Sequence, residues 1–185
     1  MVYILLGTGF EEIEALATAD VLRRGGVDVT LTGIGAPAVA GGHGIVVTAD
    51  RMVEDVTLAA GDTVVLPGGL GGVESIEGSA AAMELVRQAG GDETVYLAAI
   101  CAAPTLLARA GILGPGDDAV CYPGMEEEMT RVGVTAHMDA SVILDGKLIT
   151  GRGPGSAIDF GLALLEVLKG EETAEQVRGG MYYPA

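Results

Sequence analysis

The chain carries two thiols, Cys101 and Cys121, in different surroundings. Cys101 lies within Ala98-Ala99-Ile100-Cys101-Ala102-Ala103-Pro104, where a short apolar run breaks into a proline-led helix at the cysteine itself. That is the shape of a nucleophile elbow, built around a thiol instead of the serine-centred glycine motif. Such a turn crowds its flanks, and Ala99, Ala102 and Ala103 keep them slim. At a helix N-terminus the dipole and the unpaired N–H groups favour thiolate, so Cys101 is expected to titrate low and to serve as a nucleophile or redox thiol. The competing reading is a small buried hydrophobe. Cys121, just before Tyr122-Pro123, reads as a buried spectator, with a resolving thiol as the alternative.

Chemistry at Cys101 needs partners. Pro67-Gly68-Gly69 ends another apolar run, and its backbone N–H groups could join that of Ala102 as an oxyanion hole, although glycines after a strand usually serve only the turn. Gly9-Phe10-Glu11-Glu12-Ile13-Glu14 opens the first helix. Glu11 and Glu12 suit its first turn, where negative charge is favourable, and no further role is expected of them. Glu14, one turn in, is either a solvated helix glutamate or an acid aimed at Cys101. In the second case desolvation raises its pKa and lets it donate a proton to thiolate. His43 and His137 read as loop or surface residues without zinc-site spacing, and Glu126-Glu127-Glu128 as a solvated helix face. There is no Walker loop, and Gly7-Thr8-Gly9 stops short of a dinucleotide fingerprint, so no cofactor and no metal are expected.

The elements that must position these residues follow from the apolar pattern. Short, unalternating runs predict buried strands over 2–6, 27–31, 45–48, 63–66 and 96–100, with a strand end over 119–121. Helices are predicted over 11–24, closed by Gly25-Gly26, and over 79–89, 104–110, 156–169 and 173–178. Asp145-Gly146, between strands over 141–144 and 147–150, is the strongest hairpin signal. Strands alternating with helices imply a doubly wound α/β sandwich over one domain, 1–185, with ligands collecting at the carboxyl ends of the strands.

Of the 185 residues, 49% are hydrophobic and 19% charged, which supplies an ample core and excludes a disordered acidic tail despite a formal charge of −16. That charge argues against nucleic acid and anionic membranes as partners, because repulsion precedes any contact. No run approaches a membrane span, and Met1 leads straight into Val2-Tyr3-Ile4-Leu5, so the chain reads as cytoplasmic.

Taken together, Glu11-Glu12-Ile13-Glu14, Leu66-Pro67-Gly68-Gly69, Ala98-Ala99-Ile100-Cys101-Ala102-Ala103-Pro104 and Gly151-Arg152-Gly153-Pro154-Gly155 resemble the ThiJ/PfpI superfamily, in its deglycase branch. The resemblance runs from the first strand to the final helix. It implies a flavodoxin-like sandwich with a mainly parallel central sheet, a homodimer, an oxidation-sensitive cysteine at Cys101, Glu14 as its acid partner, and backbone donors at Gly69 and Ala102. The PfpI-type proteases place a histidine directly after the cysteine; Ala102 stands there, so peptidase activity is not expected. The deglycase-type histidine before a proline is replaced by Tyr122, a poor base at neutral pH. A basic residue of the family's dimer-side pocket aligns with His43, and Arg24 and Arg152 complete the residues expected around the pocket.

The implied function is a cysteine-dependent, cofactor-independent glyoxalase or deglycase acting on small 2-oxoaldehydes, with Cys101 as nucleophile and Glu14 as the one obvious acid/base. The alternative is a redox-sensing stress or chaperone-like protein in which an oxidant converts Cys101 to a sulfinate without turnover. A third reading is a structural paralogue whose cysteine has no task.

Overall fold

In β1 (Val2–Leu6) every residue is buried, and successive side chains enter opposite cores: Tyr3 and Leu5 one, Val2, Ile4 and Leu6 the other. A strand apolar on both faces belongs at the centre of a helix-covered parallel sheet. A computed structural model describes residues 1–184 and places it there. In chain order follow α1 (Glu12–Arg24), β2 (Val29–Gly33), β3 (Ala38–Ala40), β4 (Val46–Thr48), β5 (Arg51–Met52), β6 (Thr63–Leu66), α2 (Leu70–Gly78) and α3 (Ala80–Gly91). The second half holds β7 (Tyr96–Ile100), α4 (Ala103–Arg109), β8 (Asp118–Ala119), α5 (Glu126–Thr130), β9 (Thr135–Ala136), β10 (Val142–Asp145), β11 (Leu148–Gly151), α6 (Ala157–Lys169) and α7 (Glu171–Gly180).

The described residues form a seven-stranded sheet ordered β10-β11-β7-β6-β1-β2-β5, parallel except for the β10–β11 hairpin at one edge. Helices cover both faces. Val73, Ile76, Val86 and Leu106 of α2, α3 and α4 fill one core; Leu22, Phe160 and Leu164 of α1 and α6 fill the other. This is the doubly wound sandwich that the alternating pattern implies, in the flavodoxin-like form that the family resemblance implies. Among the described residues no helix is long and apolar enough to cross a membrane.

Several boundaries differ from the sequence reading. Helix α2 is absent from it, because Leu70-Gly71-Gly72 is a poor helix start by propensity. Contact decides instead: a Cβ on Gly72 would lie 2.6 Å from the Phe10 Cα, so glycine lets α2 press against the turn that precedes α1. Strand β2 begins two residues later than expected because the Val27 amide closes α1 by donating to the Leu22 carbonyl. The expected strand over 45–48 is one arm of a separate hairpin, β3–β4. Of the strand end expected over 119–121 only Ala119 is strand, in β8, which pairs with β9 outside the main sheet. The β10–β11 strands each start and end one residue later, with Asp145 opposite Leu148 and Gly146 at φ +58 in the turn.

Candidate active site

Strand β7 ends at Ile100 and α4 begins at Ala103, so Cys101 occupies the break, at φ +66. A left-handed conformation costs a non-glycine residue roughly 1–2 kcal/mol, and the neighbours hold it in place. The Cys101 amide donates to the Gly151 carbonyl at 2.9 Å, and its carbonyl accepts from the Tyr122 amide at 2.8 Å. The elbow is thus pinned by the end of β11 and by the segment after β8.

Glu14 sits on the first turn of α1 with 1% of its surface exposed. Its Oε2 accepts from the Gly68 amide at 2.7 Å. Oε1 has no hydrogen-bond partner among the described residues, and the Cys101 thiol adjoins the carboxyl group. Gly68 lies between the two groups: a Cβ there would fall 2.8 Å from Glu14 Oε2 and 3.0 Å from Cys101 Sγ. Burial pushes the Glu14 carboxyl up to about 7, against the pull of the Gly68 amide and the thiol. Glu14 is therefore the buried acid, not the solvated glutamate.

The expected low thiol pKa is overturned. Burial first, and then the Glu14 charge and hydrogen bond, push Cys101 up to about 12, outweighing the Gly69 and Ala102 N–H groups that favour thiolate. The helix dipole loses because α4 starts two residues later and the neighbouring carboxylate is in direct contact. Above about pH 7 the Cys101–Glu14 pair holds one proton, as thiol beside carboxylate, and below it both groups are protonated. Gly69, at φ +81, and Ala102 both direct their amides at the Cys101 sulfur.

Cys101 opens into a cavity of about 890 Å³, whose wall also includes Gly69, Ala102, Tyr122 and His43. Ile13, Ile45, Leu70 and Met125 give it an apolar rim. His43 is not a bare loop residue. Its Nδ1 lies 2.9 Å from Glu12 Oε2, while its amide donates to Glu12 Oε1 at 2.7 Å. Glu12, expected only to serve the helix dipole, is 3% exposed and also accepts from the Ile45 amide. Burial alone would raise the Glu12 carboxyl, but the His43 hydrogen bond and the loop amides hold it below its ordinary value. Hydrogen bonding to Glu12, with the charges of Glu11 and Glu12, raises the His43 imidazole. Glu11, Glu12 and His43 bring donor atoms within 4.8 Å of one another. Both Glu12 oxygens and Nδ1 are already committed to hydrogen bonds, so the group is a dyad with a clamp rather than a metal cage. The sequence signal for it is modest: glycines surround His43, and a Cβ on Gly41 would collide with the Glu12 carboxylate.

The arginines fall elsewhere. Arg152 lines a shallow hollow that shares Tyr122, Pro123 and Pro154 with the cavity wall, so it is a neighbour of the site. Arg24 is not: α1 starts at the cavity with Glu12, Arg24 is its last residue, and the rise of a helix sets them ~18 Å apart. There Arg24 pairs with Asp20 at 2.6 Å. Cys121 is a fully buried free thiol pushed up to about 12 by burial and by Glu126 and Glu128, and His137 pairs with Asp118 away from the cavity.

A flavodoxin-like sandwich with a strained thiol at the carboxyl edge of its sheet and a buried carboxyl group against it defines a class of thiol–carboxyl α/β proteins. Within that class the chain belongs to the DJ-1/PfpI family, whose sequence profile matches residues 1–167. It is 39% identical to protein dj-1beta of Drosophila melanogaster over 181 residues, covering 96% of this chain and 94% of the relative. The crystal structure of Drosophila DJ-1beta superposes with a TM-score of 0.90 at 35% identity, over 100% of this chain and 98% of that one. A second relative, 34% identical over 88% of this chain and 84% of its own length, is glutathione-independent glyoxalase DJR-1.2 of Caenorhabditis elegans. The solved structure of Toxoplasma gondii DJ-1, oxidized, has a TM-score of 0.89 at 30% identity, covering 100% of this chain and 98% of that one.

Proposed function

We propose that the protein converts small 2-oxoaldehydes such as methylglyoxal into 2-hydroxy acids without a cofactor. The observation that carries this reading is the Glu14–Cys101 pair, an acid near neutrality touching a thiol under two backbone donors in an open cavity. Membership of a family that includes a glutathione-independent glyoxalase supports it. Cys101 Sγ attacks the aldehyde carbon; the thiol proton passes through the Glu14 carboxylate to the aldehyde oxygen, giving a hemithioacetal. Glu14 then takes the proton from that carbon and delivers it to the adjacent one, while a hydroxyl proton moves between the two oxygens. The product is a thioester, one carbon oxidised and its neighbour reduced, so no external oxidant is needed. Water, deprotonated by Glu14, adds to the thioester with Gly69 and Ala102 N–H groups holding the oxyanion. Collapse expels thiolate, which recovers its proton from Glu14 and releases the 2-hydroxy acid. Wild type should form lactate from methylglyoxal, and Cys101→Ser and Glu14→Ala should not; absence of thiol-dependent lactate in wild type sinks the reading.

A second reading is favoured by the same geometry: a protonated Glu14 and the Gly69 and Ala102 amides could hold the oxygens of a Cys101 sulfinate, making the thiol an oxidant sensor. The oxidized Toxoplasma relative is consistent with it. Intact-mass measurement after mild peroxide tests this reading, which requires Cys101 to gain two oxygen atoms while Cys121 gains none.

A further inference from the structure

We propose that His43 is a second acid/base of this site, held in one tautomer and orientation by the buried carboxylate of Glu12, and that it moves the proton between the two substrate oxygens. The inference rests on the glyoxalase reading and supplies a group for the hydroxyl-proton step that Glu14, already occupied with the carbon-bound proton, leaves unassigned.

The dyad has the arrangement by which a carboxylate orients a catalytic imidazole. Glu12 and His43 are 31 positions apart, and the contact is made by burying one of them: the carboxylate is 3% exposed, the imidazole side chain 70%. A buried charge is retained only where it is fully hydrogen-bonded, and Glu12 receives the amides of His43 and Ile45 as well as Nδ1. Clamping the loop needs the two amides alone. The imidazole bond adds something the clamp does not need: it commits Nδ1 and leaves Nε2 without a hydrogen-bond partner among the described residues, on a residue that lines the cavity holding Cys101. Glu11, 3.5 Å from Nδ1, adds a second negative charge. The titratable groups around His43 are thus Glu11 and Glu12 at the start of α1, with Cys101 and Tyr122 elsewhere on the cavity wall. Both carboxylates favour the imidazolium.

In the isomerisation, imidazolium Nε2 gives its proton to the 2-oxo oxygen as Glu14 removes the proton from the thiol-bearing carbon, forming an enediol. Glu14 then protonates the second carbon, and neutral His43 takes the proton from the hydroxyl on the first, closing the thioester carbonyl. Both groups end as they began, and the substrate has only been rearranged.

The test is the pH dependence of kcat for lactate formation from methylglyoxal in wild type, His43→Gln and Glu12→Gln. Requiring carboxylate at Glu14 and imidazolium at His43, wild type should give a bell. His43→Gln retains the backbone amide that Glu12 clamps; it should lower kcat about a hundredfold and remove the descending limb. Glu12→Gln, which takes away the charge that favours imidazolium, should move that limb to lower pH. Wild-type kcat, within about twofold, and an unaltered limb in His43→Gln overturn the proposal. So does a lower kcat with the limb still present, which is what loss of a mere wall contact would produce. If wild type makes no lactate, the glyoxalase reading itself has failed and the role of His43 falls with it; an active wild type matched by His43→Gln removes His43 alone.

Discussion

At the residue scale the site turns on where one proton sits. The Glu14 carboxyl is raised from 4.5 to about 7 chiefly by burial, and the Cys101 thiol from 9.0 to about 12 by burial and by Glu14; the carboxylate opposes ionisation of the thiol, while the thiol's hydrogen bond favours the carboxylate. Replacing Glu14 with glutamine removes the charge and keeps an acceptor for the Gly68 amide. Cys101 in Glu14→Gln should therefore titrate lower and react faster with iodoacetamide at pH 8, even as lactate formation is lost; unchanged alkylation would mean that the two groups do not interact. The same shift couples stability to pH. The folded state keeps a proton on Glu14 where the unfolded chain has released it, so the native state binds more protons between pH 4.5 and about 7. The stabilisation is complete below that window and is lost as pH rises through it, by about 3 kcal/mol. Urea unfolding of wild type at pH 4.5 and pH 8, against Glu14→Gln, reads this directly: the variant should lack the decline and be the more stable protein at pH 8.

At the element scale, strand ends and the helix starts that follow them bring the groups together. Gly68, between β6 and α2, has no room for a side chain, since a Cβ would lie 2.6 Å from the Cys101 Cβ. Gly68→Ala should push the thiol and Glu14 apart, cut lactate formation at least tenfold, and cost about 1–3 kcal/mol of stability. Gly78→Ala, at the far end of α2 where a Cβ meets nothing within 4 Å, is the matched control and should leave both nearly unchanged. Some of this was legible in the sequence. The apolar run of β7 is bounded sharply enough to be read at both ends, and the Cys101 elbow follows from its breaking into Pro104. Glu14 was legible only as an alternative, because helical spacing alone does not say which glutamate faces the sheet. Helix α2 was not, since its glycines are there for contact with Phe10 and local propensity argues the other way. Nor was the Glu12–His43 bond, which joins a helix start to a hairpin loop. The thiol pKa was misread because the helix dipole is a local signal, whereas burial and the touch of Glu14 come from packing across the sheet.

At the scale of the whole molecule, charge and apolar surface are distributed unequally. A chain with a formal charge of −16 nevertheless exposes 56% of Ile13, 54% of Ile45 and 67% of Leu70, from α1, the β3–β4 loop and α2 around one cavity mouth. Soluble chains rarely leave large apolar patches uncovered, and a closed pair of identical chains is the commonest way to cover one. The homodimer implied by the family resemblance would do so if this face were the interface, with the cavity opening beside it. The energetics then carry a distinctive sign. Two such acidic chains repel, and burial of apolar side chains must outweigh that repulsion. Salt screens the repulsion and leaves the apolar term in place, so the dimer should tighten at about 1 M NaCl, where the Debye length is about 3 Å; an interface held by ion pairs would loosen. Sedimentation at micromolar concentration should give twice the 18.7 kDa chain mass, and Ile45→Glu should return the mass of one chain with the fold intact by circular dichroism. A single-chain mass for wild type at low and high salt would show that this apolar rim does not pair two copies of the chain.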